Sequence, residues 1–179
     1  MIHCILGHGA CGKTTIQKYL NKEIPAITTY TTRPIRHNEI DGIHYHFLPN
    51  AEFEERKRNG FFVEYYYIPE NDWYYGMSFD GIDYKNKHYS LVLDPQGYKT
   101  LVEKIGKEYL TSYYINLSEH ERVIRMAKRE DKIEEIFRRI LSDRKDFQGF
   151  NKVADVILLS KDSKRNARVI MKEIKERAF

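Results

Sequence analysis

The stretch Gly7-His8-Gly9-Ala10-Cys11-Gly12-Lys13-Thr14 decides the fold class. It satisfies G-x-x-x-x-G-K-[ST] at every fixed position, and its flanks agree with it. Residues 2–6 are a short apolar run ahead of the loop. Residues 15–21 follow it, with Ile16 and Leu20 on one helical face. Strand, glycine loop and helix is the context in which this pattern builds a phosphate cradle. The glycines let successive amides turn inward as a nest of donors, and the helix aims its positive end at the same point. Gly7, Gly9, Ala10, Cys11, Gly12, Lys13, Thr14 and Thr15 are therefore expected to surround nucleotide phosphates. Lys13 reaches the terminal oxygens, and the Thr14 hydroxyl ligates Mg²⁺ alongside phosphates and water.

The 179 residues suit one domain with a sizeable core, and 41% hydrophobic with 31% charged residues is an ordinary globular composition. No apolar run approaches the roughly 18 residues of a membrane span, and the first residues carry no signal-peptide pattern. Cys4 and Cys11 are too few for a disulfide scaffold and suit a reducing compartment. The expected location is cytoplasmic, with no membrane partner and a monomer or homodimer in solution. The formal net charge of +4 is mild. The densest basic segments, 125–129 and 138–145, adjoin Glu130, Asp131, Glu134 and Glu135. They read as helix faces that meet phosphates and not as a nucleic-acid-binding stripe.

Strand-like and helix-like segments alternate along the chain, which points to an α/β fold. Residues 26–29 read as a short strand, with Pro34 excluding helix beyond them. Residues 43–47 read as an exposed strand, 52–59 as a helix closed by Gly60, 61–67 as a strand and 69–72 as a turn. Residues 89–94 form an apolar run ending at Asp94, the shape of a buried parallel strand that delivers a carboxylate. Pro95 opens a helix through about residue 107, with a strand at 110–117. Ser118 and Glu121 make a capping box for a charged helical region over 119–145. A last strand is expected at 153–159, and a helix capped by Asp162 or Ser163, with Val169, Ile170 and Ile174 inward.

A second constellation lies between Thr28 and Asp94. Thr29-Tyr30-Thr31-Thr32-Arg33-Pro34-Ile35-Arg36 leads to Glu39, then Asp41-Gly42-Ile43-His44-Tyr45-His46-Phe47, then Gly60-Phe61-Phe62-Val63-Glu64, then Tyr75-Gly76. Arg33 and Arg36 can grip one phosphate bidentately, which lysines do less well. Tyr45 and Tyr75 offer phenolic donors, Thr29 a hydroxyl, and Glu64 a carboxylate able to accept two N–H bonds from one partner. Tyr65-Tyr66-Tyr67 reads as a strand with alternating faces.

This order of residues resembles the guanylate kinase family, whose pattern runs S-x-T-T-R-x-P-R-x-G-E-x-x-G-x-x-Y-x-F, then F-x-E, Y-G-[ST] and D-x-Q-G. The resemblance covers nearly the whole chain. It implies a parallel-sheet P-loop kinase core with helices on both faces (1–30, 80–124, 146–179), a small mixed acceptor-binding subdomain at 31–79 and a helical lid at 125–145. It implies that Thr29, Arg33, Arg36, Tyr45 and Tyr75 hold the acceptor phosphate, that Glu64 and Asp94 face the guanine, and that Glu39 supports the arginines. The substrates implied are ATP and GMP or dGMP, with Mg²⁺. Departures from the pattern concern the base. Met77 stands where a hydroxyl helps to read it, with Ser78 adjacent, Val92 lacks the acid usual two before Asp94, and the 67–73 segment is longer.

Arg122, Arg125 and Arg129 fall on one helical face, and Arg138 and Arg139 follow. The resemblance implies a lid of the form R-G-[TS]-x-[ST] then R-R-L. Arg129-Glu130-Asp131 lacks its glycine and the segment is about one residue shorter, while Arg138-Arg139-Ile140 fits. This implies Arg129 and Arg139 as the transfer-stabilising pair, with Arg125 and Arg138 as neighbours. A solvated helix with i,i+4 ion pairs accounts for the same charges. Ser160 replaces an asparagine usually placed beside adenine. His44 and His46 lack an obvious third metal ligand. Cys11 is a small loop filler, or a thiol activated by the helix N-terminus. Two other functions fit parts of the pattern: a kinase with another acceptor base, motivated by Met77, and a guanylate-kinase-like binding module without catalysis. The intact Gly12-Lys13-Thr14 and the arginines argue against the second.

Overall fold

Six consecutive buried residues, Ile2–Gly7, form β1. It is an inner strand of a four-stranded sheet in the order β6-β1-β7-β8, completed by Tyr89–Val92 (β6), Leu110–Ile115 (β7) and Val156–Leu158 (β8). Every pairing in this sheet is parallel. Parallel strands are covered on both faces, which is why β1 and β7 lack polar alternation and are buried throughout. The computed structural model describes residues 1–37 and 39–177. Within it the chain divides into two compact units, Met1–Ala26 with Lys87–Phe179, and Ile27–Asn86.

In the first unit, helix α1 (Lys13–Leu20) packs against α6 (Ser163–Arg177). Ile16, Leu20, Ile170 and Ile174 meet Ile5, Tyr113, Ile115 and Leu158 in one apolar cluster. Val169, expected inward, is 40% exposed, because the face of α6 that meets that cluster is made by Ala167, Ile170 and Ile174. Asp94 caps α3 (Pro95–Ile105) through its bond from the Gly97 amide. The Ser118 cap forms as expected, accepting the Glu121 N–H at 3.3 Å. The charged region over 119–145 is two helices, α4 (Glu119–Ala127) and α5 (Ile133–Asp146), parted where Glu130 takes a positive φ of 60°. The last strand is shorter than expected, because 150–152 closes a 3₁₀ turn and the Ala154 amide bonds back to Phe150.

The second unit is a mixed sheet in the order β3-β2-β5-β4, built from Tyr30–Thr31 (β2), His46–Phe47 (β3), Glu64–Ile68 (β4) and Trp73–Met77 (β5), with one helix, α2 (Asn50–Arg58). β2 runs parallel to β3, and β5 is antiparallel to β2 and β4. The strand expected at 26–29 reduces to a single bridge at Ala26, and pairing starts at Tyr30. The exposed strand expected at 43–47 narrows to His46 and Phe47, with Tyr45 in an isolated bridge to Asp41, because 42–44 form a turn. β5 was not among the expected strands.

Register decides what β4 and β5 present. Glu64 lies opposite Met77 and Tyr66 opposite Tyr75, so these four share one face; Tyr65, Tyr67, Tyr74 and Gly76 share the other. Beneath that second face Phe53 of α2 stacks on Phe62 at 4.3 Å. A Cβ on Gly76 would come within 2.7 Å of Phe53 and 2.8 Å of Phe62, so the aromatic layer closes directly on the Gly76 backbone.

Candidate active site

The phosphate loop takes its shape from three unusual backbone positions. Gly7 leaves β1 at φ 152°, Ala10 holds φ 61°, and Gly12 caps α1 at φ 103°. Side chains could not replace the flanking glycines. A Cβ on Gly7 would stand 2.7 Å from the Cys11 sulfur, and one on Gly12 would stand 2.6 Å from the Ser163 hydroxyl. The Lys13 ammonium donates to the Gly7 carbonyl at 2.5 Å and the His8 carbonyl at 3.0 Å, folding back along its own loop. Thr14 and Thr15 are exposed on the first turn of α1. Cys11 is 3% exposed and packs under the loop, as a filler does.

Side chains of α4 and α5 grip this loop. Arg125 donates to the carbonyls of Cys11 at 3.2 Å and Ala10 at 3.4 Å, and to Lys161 at 2.7 Å. Asp143 accepts the Gly9 amide at 2.8 Å and Arg122 at 2.5 Å. Arg122 is only 2% exposed. The His8 ring lies 3.2 Å from the Tyr114 hydroxyl and packs on Phe147. Burial, reinforced by Arg122, lowers the His8 pKa to about 4, so the loop imidazole is neutral at pH 7.

Arg129, Arg138 and Arg139 form a network with two acids. Asp131 joins Arg129 at 2.9 Å to Arg139 at 3.5 Å. Glu135 binds Arg138 and Arg139, each at 2.7 Å, and these bonds, Arg138's foremost, pull its pKa down to about 2. The i,i+3 and i,i+4 ion pairs of a charged helix are thus present, and so is the clustering of Arg129 with Arg139. Arg125 stands apart from them, on the phosphate loop.

The second unit carries the other constellation. Arg33 is 4% exposed and donates to Glu39 at 2.7 Å and to the Pro34 carbonyl at 2.8 Å. The second Glu39 oxygen accepts the Arg36 amide at 2.9 Å, which leaves the Arg36 side chain on an exposed residue. The Arg33 guanidinium lies 5.5 Å from the Tyr45 ring and 5.7 Å from the Phe47 ring. Tyr45 meets Tyr75 edge to face at 6.0 Å, and Tyr75 stacks on Tyr66 at 5.1 Å. Burial, then Tyr75, raises the Tyr45 pKa, so its hydroxyl stays a donor.

Thr29 is half-buried beside β2, its carbonyl taken by the His46 amide. Met77 is 2% exposed opposite Glu64. The Ser78 hydroxyl accepts the Asp80 amide at 3.1 Å, which leaves its own O–H free of that bond. Asp94 belongs to the first unit, where one carboxylate oxygen caps α3.

Among the described residues there is no group of three or more His, Cys, Asp or Glu that could hold a metal. His44 instead accepts the Ile40 amide, and His46 stacks on Tyr30. The exposed Thr14 hydroxyl is a hard oxygen donor at the start of α1. A single such donor fits Mg²⁺ that keeps most of its ligands as water and phosphate oxygens, and does not fit an all-protein metal cage.

Two residues escaped the sequence reading of roles. Arg122 stood in the arginine stripe with no task, and Asp143 was unmarked. The available signal was position: Arg122 and Met126, four apart, are the buried residues of α4. An arginine on a buried face needs an anion.

Comparisons with known proteins follow the same lines. A family model described as guanylate kinase matches residues 3–176. The guanylate kinase of Sulfurimonas denitrificans is 36% identical over 149 residues, which span 69% of this chain and 70% of that one. That of Helicobacter pylori is 26% identical over 176 residues, 92% of this chain and 82% of the relative. Among solved structures, a guanylate kinase from Anaplasma phagocytophilum superposes with a TM-score of 0.72 at 22% identity, covering 99% of this chain and 85% of the other. A gluconokinase from Sinorhizobium meliloti gives a TM-score of 0.51 at 13% identity, over 98% and 94% of the two chains. At these identities the two structures speak for the fold.

Proposed function

The chain belongs to the guanylate kinase family, and from that premise we propose that it transfers the γ-phosphoryl group of ATP to GMP or dGMP, giving ADP and GDP or dGDP. That it is a nucleoside monophosphate kinase follows from the family; the acceptor base, the metal and the residue roles are our reading. The observation that carries the acceptor assignment is the Glu39 carboxylate, which holds buried Arg33 by its guanidinium and Arg36 by its backbone. With Tyr45 and Tyr75 beside it, this arrangement offers several fixed donors to one phosphate. Preorganised donors of this kind cost no reordering when the anion arrives.

In this reading the amides of residues 9–15 and Lys13 hold the phosphates of ATP. Thr14, with phosphate oxygens and water, would hold Mg²⁺, which would supply neutralisation of phosphate charge. Arg129 and Arg139 exchange Asp131 for the oxygens of the transferring phosphoryl group, and Arg125 and Arg138 keep their segments in place. Thr29, Arg33, Arg36, Tyr45 and Tyr75 hold the phosphate of GMP, Glu39 orders the arginines, and Glu64 and Asp94 read the guanine. Phosphoryl transfer asks the protein for positioning and charge neutralisation, and these residue types supply both.

Met77 favours a second reading, a monophosphate kinase with relaxed or altered base preference. It is buried on the face it shares with Glu64, where it contributes bulk and no hydrogen bond. Turnover of ATP with GMP, dGMP, AMP, CMP, UMP and dTMP separates the two. The guanine reading expects GMP and dGMP as the best acceptors, and another best acceptor overturns it. Lys13→Ala is expected to abolish transfer, and Arg36→Ala to raise the KM for GMP with ATP binding unchanged. Full activity of the lysine variant would refute the donor assignment.

A further inference from the structure

Asp143 places a carboxylate on an amide of the phosphate loop. Its Oδ2 accepts the Gly9 N–H at 2.8 Å, and the same oxygen receives Arg122 at 2.5 Å. The approach is close: a Cβ on Gly9 would lie 3.3 Å from that oxygen, a tight contact. Amides in such a loop are the groups that otherwise meet phosphate oxygens. Arg122 and Asp143 are 3% and 16% exposed, so the pair is a built feature and not a surface accident.

Two roles are open to a carboxylate there, and they have opposite signs. If it only orders the loop, its loss weakens every phosphate ligand. If it competes with phosphate, its loss strengthens them. The geometry favours competition, because order is already secured by a group outside the cradle: Arg125 ties two loop carbonyls. Among the described residues of the loop, Gly9 is the one whose amide is held by a carboxylate. On losing Gly9 the carboxylate keeps its ion pair with Arg122, so displacement costs it one hydrogen bond and leaves no buried charge bare.

We propose that Asp143 is a resident anion of the donor loop that competes with nucleotide phosphates for the Gly9 amide and thereby sets donor affinity in proportion to phosphate charge. It is a positioning residue and rests on the reading of this loop as the ATP site. Arg122 is the counterion that keeps the competition mild.

The test is calorimetric binding of ATP, ADP and adenosine to the full chain and to Asp143→Asn, without acceptor. The variant is expected to bind ATP about three- to tenfold more tightly, the size of one charge-assisted hydrogen bond exchanged. ADP should gain less and adenosine should not change. The double variant Arg122→Met/Asp143→Asn removes both buried charges, an exchange cores usually tolerate, and should show the same rise in the ATP-to-ADP affinity ratio. It carries the test if the single variant does not fold. Weaker ATP binding, or an equal change for all three ligands, would overturn the proposal. Lys13→Ala separates the two levels. If the parent chain binds ATP independently of Lys13, the donor reading fails and takes this proposal with it. If binding depends on Lys13 and the affinity ratio stays fixed, only the role of Asp143 fails.

Discussion

Replacing Glu39 tests the acceptor assignment at the carboxylate that holds both Arg33 and Arg36. The carboxylate makes two bonds, to the Arg33 guanidinium at 2.7 Å and to the Arg36 amide at 2.9 Å. Arg33 is 4% exposed and Glu39 16%. Removing one partner of a fully buried pair costs about 3–5 kcal/mol, because the other charge is left without compensation. Here the Pro34 carbonyl and the Tyr45 and Phe47 rings retain part of that compensation, and Glu39 touches solvent. A loss of about 2–3 kcal/mol is therefore expected for Glu39→Ala. In a chain of this size that lowers the thermal midpoint by roughly 5–10 °C. Glu39→Gln keeps an acceptor but exchanges a charged bond for a neutral one, a loss of about 1 kcal/mol. Both variants loosen Arg33 and Arg36 together. GMP affinity by calorimetry should fall about fivefold or more, with ATP affinity unchanged. Burial would raise the Glu39 pKa, but the bonds from Arg33 and the Arg36 amide outweigh it and hold it below the usual carboxylate value. Its contribution to stability is then complete above the unfolded pKa, and is lost as pH falls through the lowered folded value. An Ala variant with an unchanged midpoint and unchanged GMP affinity would refute the reasoning.

The other expectations address neighbouring parts of the molecule. Gly76→Ala forces a methyl within 2.7 Å of Phe53 and 2.8 Å of Phe62. Overpacking costs about 1–3 kcal/mol, and the stiffer unfolded chain returns up to about 1 kcal/mol. A lower midpoint and weaker GMP binding are expected, both recovered in part when Phe62→Leu is added; no recovery would show that the aromatic contact is not the cause. His88 meets His3 at 2.9 Å, and burial, with the N-terminal ammonium, lowers its pKa. Its neutral form contributes stability in full above pH about 6.5, and this is lost as pH falls through the depressed folded value. Midpoints measured from pH 7.5 to 5 should decline, and His88→Gln should flatten the decline. Met77→Thr puts a hydroxyl on the face shared with Glu64 and is expected to raise the preference for GMP over AMP about fivefold. An unchanged ratio would remove position 77 from base reading.

Much of this molecule is local in origin, and that part could be read along the chain. The loop from Gly7 to Thr14 works through glycines, a lysine and a helix start within eight residues, so its strand, turn and helix all follow from neighbours in sequence. The Ser118 cap, the apolar β1 and β7, and the spacing of Arg33, Arg36 and Glu39 are of the same kind. Where pairing is non-local the pattern was silent or misleading. β5 stayed hidden because its aromatic residues and glycine make sense only against β4 and the Phe53–Phe62 stack. Val169 faces out because the placement of α6 against α1 selects which of two adjacent apolar residues is covered. Arg125 and Arg129 fit one helical spacing in the sequence, yet α4 ends at Ala127, and Arg125 holds loop carbonyls while Arg129, in the turn beyond, holds an acid. Spacing cannot make that distinction, since both lie on one face of one sequence pattern. Asp143 is the extreme case. It stands 134 positions from Gly9, and only the packing of α5 against the loop brings its carboxylate onto that amide.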